Sequence, residues 1–84
     1  MAYGRLEIYY PDGKIETYML SEQTVSIGRA EGNTIALNSD TISRYHFSIE
    51  QIDAQTITIT DLDSQNGTSV DGMLLTGNER TSLG

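Results

Sequence analysis

The 84-residue sequence has no cysteine, no tryptophan, a single proline and only five basic residues. Without cysteine it can form neither a disulfide framework nor a thiolate metal site, and it offers no cysteine nucleophile. That absence suits a reducing compartment. No run approaches the ~20 apolar residues that cross a bilayer as a helix, and no basic start followed by an apolar stretch marks a secretory leader. These features predict a soluble chain in the cytoplasm. Five basic residues stand against twelve acids, a net charge of −7, whereas nucleic acids and anionic lipids are held by surplus lysine and arginine. Neither nucleic acid nor membrane is expected as a partner, and no cofactor or metal is expected. The length predicts one domain over residues 1–84. At 37% hydrophobic residues the chain can fold, but a domain this small buries only about 60% of the surface its unfolded chain exposes.

What is present is a strand pattern. Residues 5–10 place Leu6, Ile8 and Tyr10 on one face, and residues 14–19 alternate with Ile15, Thr17 and Met19. Pro11-Asp12-Gly13 lies between them as a turn, with proline presetting one angle and glycine supplying a positive φ. Further strands are expected at Val25 to Gly28, at Thr34 to Leu37, at Tyr45 to Glu50 with Tyr45, Phe47 and Ile49 on one side, and at Thr56 to Thr60. Asn66-Gly67 and Asp71-Gly72 have the composition of hairpin bends. No stretch has helical periodicity, so short strands at close spacing predict an all-β sandwich or barrel. After Met73-Leu74-Leu75 no further strand is expected. The open sheet edge this would leave suggests that the last strands are missing or supplied by another chain, and hence a dimer through that edge.

Three segments concentrate groups that bind oxyanions: Gly28-Arg29, Ser43-Arg44-Tyr45-His46 and Ser64-Gln65-Asn66-Gly67-Thr68. Guanidinium forks hold phosphate bidentately and a serine hydroxyl adds a short donor, so Arg29, Arg44 and Ser43 could form an anion pocket. Two unrelated surface arginines are the plainer alternative. Ser43 and His46 also suggest acyl transfer, but positions three apart on a strand face opposite ways and no orienting carboxylate is evident. A histidine hydrogen-bonded behind a loop is the favoured reading. The run from Asp61 to Gly67 invites a calcium loop, which requires Gly at its sixth position and Glu at its twelfth. Those positions hold Asn66 and Gly72, so calcium is set aside. The five tyrosines, without interleaved basic residues, read as strand packing.

Taken in order, Gly28-Arg29, Asn33-Thr34-Ile35-Ala36-Leu37, Ser43-Arg44-Tyr45-His46 and Asn66-Gly67-Thr68 resemble the signature of the forkhead-associated (FHA) domain, over the chain from about residue 5 to its end. The resemblance implies an all-β, FHA/SMAD-like β-sandwich of two antiparallel sheets. Its loops would recognise phosphothreonine in an extended peptide of a partner protein, within Ser/Thr-kinase signalling of the bacterial type. It also implies roles. Arg29 would be the main phosphate-binding guanidinium, with Ser43 and Arg44 as further phosphate contacts. Asn66, with Gln65 beside it, would bind the peptide backbone. Gly28, Gly67 and Thr68 would shape the loops and His46 would brace them from behind. Members of this kind catalyse nothing. Two residues depart from the pattern: Gln65 stands where the family usually has threonine, and Asp71 where it often has asparagine. A complete member also continues past Leu83-Gly84. A phosphate-independent interaction or oligomerisation module of the same fold is the alternative reading.

Overall fold

Alternating residues and turn pairs produce nine strands in the computed structural model, which describes residues 2–83; Met1 and Gly84, the ends of the expected domain, lie outside the described residues. The strands are β1 (Gly4–Tyr9), β2 (Ile15–Leu20), β3 (Thr24–Gly28), β4 (Ile35–Ala36), β5 (Phe47–Asp53), β6 (Thr56–Asp61), β7 (Thr68–Val70), β8 (Met73–Leu75) and β9 (Arg80–Leu83). No helix occurs among the described residues, and the expected all-β sandwich stands.

One layer is a five-stranded sheet in the order β4-β3-β5-β6-β9. Its inner face carries Val25, Ile27, Ile35 and Ile49, all buried, and Leu20 from β2 completes the core with Leu37. The expectation of two antiparallel sheets needs correction on two counts. The remaining strands form two separate hairpins, β1-β2 and β7-β8, and β4 runs parallel to β3. The parallel pair arises because the six-residue loop 29–34 doubles back, held by Thr34, whose Oγ1 accepts the Ser26 amide at 3.1 Å and whose amide donates to Ser26 Oγ at 3.0 Å.

The first hairpin corrects a face. The turn places Leu6 opposite Tyr18, Ile8 opposite Glu16 and Gly4 opposite Leu20. Cross-strand partners share a face, so Tyr18 and Leu20 turn inward, while Ile15 and Met19 are exposed. Glu16 is tolerated on the inner side because the hydroxyls of Tyr10 and Tyr18 both donate to it. Burial, hydrogen bonding to Glu16 and its charge raise both phenols, Tyr10 to about 12, with the Glu16 bond its largest cause.

The chain does not end without a strand, as its sequence suggests. Arg80–Leu83 pairs antiparallel with β6, Thr60 opposite Arg80 and Ile57 opposite Leu83. Asp71 and Gly72, at φ of 50° and 83°, make the hairpin bend between β7 and β8. Asn66-Gly67 does not join paired strands, because β6 and β7 belong to different sheets. Tyr45 precedes β5 and is exposed rather than sharing a face with Phe47 and Ile49, and Tyr9 is exposed too. Tyr3, Tyr10 and Tyr18 do pack against the core.

Candidate functional site

Register brings the candidate segments to one end of the sandwich. Ile27 near the end of β3 pairs with Phe47 at the start of β5, and Phe47 pairs with Asp61 at the end of β6. Because these strands alternate in direction, loops 29–34, 37–46 and 62–67 all leave from the same edge. All nine sequence-predicted site residues lie in or beside those loops.

The loops are stitched together by their backbones. The Arg29 amide donates to the Ser43 carbonyl at 3.0 Å and the Ala30 amide to the Arg44 carbonyl at 3.0 Å. Gly28 makes this approach possible. Its φ lies outside the left-handed region, so it serves by lacking a side chain rather than by turning the chain. A Cβ there would run into the Arg44 carbonyl oxygen and lie 2.9 Å from Asn33 Nδ2. Gly67, in contrast, has a φ of 77° and also abuts Leu74 and Leu75.

The third loop joins through side chains. Ser43 Oγ accepts the Gln65 amide at 2.9 Å, which leaves the hydroxyl proton free to be donated elsewhere. Asn66 Nδ2 donates to the Thr41 carbonyl at 3.0 Å, and its Oδ1 retains its acceptor capacity. His46 Nδ1 accepts the Ser43 amide at 3.1 Å, which leaves Nε2 carrying the proton that it donates to the Gly67 carbonyl at 2.9 Å. The imidazole thus ties the second loop to the third. It holds the backbone of Ser43 and not its hydroxyl, the opposite of what an acyl-transfer pair requires.

Two residues with no assigned part in the sequence reading hold this geometry. Asp61 is fully buried and accepts from Ser64 Oγ at 2.5 Å, Thr68 Oγ1 at 2.8 Å and the Ser64 amide at 3.2 Å. Burial acts to raise its carboxyl, but these hydrogen bonds, with His46 nearby, outweigh it and hold the group below the ordinary carboxylate range. Asn33, also buried, bonds the Ala30 and Arg44 carbonyls. The spacing of Asp61 and Ser64, a carboxylate accepting from a residue three along, is the one local signal that could have found the first.

A depressed carboxyl contributes stability that is complete above its unfolded value, about 3.9, and is lost as pH falls through the folded value. Urea unfolding of wild type should therefore weaken between pH 5 and pH 3 by more than that of Asp61→Asn, which cannot titrate. Equal acid sensitivity of the two would show that Asp61 is not part of the acid response.

Among the described residues, Arg5 and Lys14 pair with Glu7 and Glu16, whereas Arg29, Arg44 and, on β9, Arg80 are exposed with no carboxylate within 4.0 Å, and of these three Arg29 and Arg44 lie in the clustered loops. Two free guanidiniums, a donor hydroxyl and an amide on a braced frame can receive an anion on an extended chain. Asp71 stands off from this group, since the three residues of β7 carry the chain roughly 10 Å from Gly67 to the bend.

A β-sandwich that braces such groups on three loops at one end belongs to the class of recognition domains. The chain is a member of the FHA domain family, whose model matches residues 25–84. Among solved structures it is similar to the FhaA FHA domain complexed with the intracellular domain of Rv3910, at 30% identity and a TM-score of 0.74, covering 95% of this chain and 80% of that one. An FHA domain from Chlamydia trachomatis matches at 25% identity and a TM-score of 0.77, covering 94% and 77%. Mycobacterium tuberculosis EmbR in complex with a low-affinity phosphopeptide matches at 26% identity and a TM-score of 0.69, over 95% of this chain and 20% of that one. Among curated proteins, no sequence relative matches.

Proposed function

We propose that the chain acts as a single cytoplasmic domain that binds phosphothreonine-containing partner proteins in Ser/Thr-kinase signalling and catalyses nothing itself. The observation that carries this reading is the pair of carboxylate-free arginines, Arg29 and Arg44, on backbone bonded directly to the Ser43 and Ala30 segments in a chain of net charge −7. The phosphopeptide bound to EmbR, and a further 30%-identical structure described as belonging to phosphothreonine-dependent FHA domain interactions, support it. In this reading Arg29 is the main phosphate ligand, Ser43 donates its free hydroxyl proton and Arg44 adds a second guanidinium. Asn66 offers its amide to the peptide backbone, with Gln65 beside it in place of a threonine hydroxyl. Gly28, His46, Gly67 and Thr68 keep the frame.

A phosphate brings roughly −1.5 to −2 charge and three acceptor oxygens, and each hydrogen bond to a charged group contributes about 1.5–3 kcal/mol. Three or four suffice for a micromolar affinity, about −8 kcal/mol, after ordering costs. Calorimetric titration with matched threonine and phosphothreonine peptides from a degenerate library is the test. Binding of the phosphorylated member alone is expected; equal binding of both, or of neither, overturns the reading.

The open edge of the five-stranded sheet at β9, a strand paired on one side only, favours a second reading in which copies associate through a sheet edge independently of phosphate. A light-scattering mass twice the 9.3 kDa of the chain, unchanged by phosphatase, would support it. A strictly monomeric, phosphate-dependent protein would exclude it.

A further inference from the structure

We infer that Asn33 is a positioning residue that sets the spacing of Arg29 and Arg44; the inference rests on the phosphate-binding reading above. Glu31, Gly32 and Thr34 around it are exposed, yet Asn33 is only 8% exposed. Its Nδ2 donates to the Ala30 carbonyl at 2.8 Å and to the Arg44 carbonyl at 2.7 Å. Its Oδ1 is buried without any hydrogen-bond partner. The part this side chain plays lies in the two groups its Nδ2 joins. What it gains is a pair of bonds to the residue after one guanidinium and to the residue that carries the other.

The surrounding geometry agrees. Arg29 and Ala30 already form two rungs with Ser43 and Arg44, and Asn33 locks that short ladder from the side. The missing Cβ of Gly28 is what lets the amide enter, since a methyl there would stand 2.9 Å from Nδ2. Both arginine side chains are long and exposed, so their convergence on one phosphate depends on how firmly their backbones are held. Holding the bound geometry in advance cuts the ordering cost of each long side chain immobilised on binding.

The test uses the full chain with Asn33→Ala, and with Asn33→Ser as a milder change whose hydroxyl can reach only one carbonyl. Amide hydrogen exchange reads the clamp without any ligand. Exchange at Arg29 and Ala30 should quicken about tenfold or more, while Ile49 and Ile59 in the central strands stay protected. Affinity for a phosphothreonine peptide selected by the wild-type chain should fall about tenfold or more. In a double-mutant cycle with Arg44→Ala the losses should be strongly non-additive, because both act through one contact. Unchanged exchange at Arg29 and Ala30 in a folded variant overturns the inference, as do additive losses. If no phosphothreonine peptide binds wild type, the functional reading fails and takes the ligand half of this inference with it, while the exchange result still decides whether the clamp exists.

Discussion

Arg29→Ala is expected to weaken phosphothreonine-peptide binding by about a hundredfold or more. A guanidinium gripping phosphate with two charge-assisted hydrogen bonds supplies about 3 kcal/mol or more, and each 1.4 kcal/mol is a factor of ten. The fold should barely respond. Arg29 is exposed and its side chain has no ion-pair partner among the described residues, and such surface changes stay within about 0.5 kcal/mol. The backbone amide that holds Ser43 is kept by alanine. The measurement is calorimetric titration beside thermal unfolding. Affinity unchanged in a folded variant would remove Arg29 from the site, and a lost fold would mean that the arginine has structural work the geometry does not reveal. Arg29→Lys should recover only part of the binding, because an ammonium is a point charge without the planar fork.

Gly28→Ala should do the reverse and damage the fold and the site together. The added methyl meets backbone, the Arg44 carbonyl, with the Asn33 amide close behind. Backbone cannot rotate aside as a side-chain tip can, so either the Gly28 strand end or the Arg44 loop must move. Movement breaks the Ala30–Arg44 bond and the Asn33–Arg44 bond at once. Overpacking costs about 1–3 kcal/mol and each lost hydrogen bond about 1 kcal/mol more. In a domain of this size about 1 kcal/mol shifts Tm by about 4–8 °C, so a fall of more than about 10 °C is expected, along with loss of phosphopeptide binding. A variant with wild-type Tm and affinity would show that the two loops do not approach as closely as described.

The strands were legible where a single face carries the message. Alternation in residues 5–10 and 56–60 marks β1 and β6 because every second side chain meets the core. Ile15 and Met19 misled for the same reason, since their hydrophobicity looks like a buried face while the register with β1 turns Tyr18 and Leu20 inward instead. Arg80–Leu83 was invisible because Arg-Thr-Ser-Leu has one apolar residue at its end and becomes a strand only by pairing with β6. The site divides similarly. Arg29, Ser43, Arg44, His46 and Asn66 are recognisable as a set in chain order. Asp61 is not, and Asn33, though it opens one of the matching stretches, shows no role there, because a polar side chain becomes structural only when the rest of the fold buries it and turns donors or acceptors toward it.

The bonds among the loops also bear on time. Ser43 Oγ, the Asn66 amide and the His46 ring are held by bonds that the chain makes to its own neighbouring loops. A frame held by the chain's own bonds has little rearranging to do on encounter, so association should proceed at the ordinary docking rate of about 10⁵–10⁷ M⁻¹s⁻¹ without a slow conformational phase. Differences among partner peptides would then be written almost wholly in how long each one stays bound.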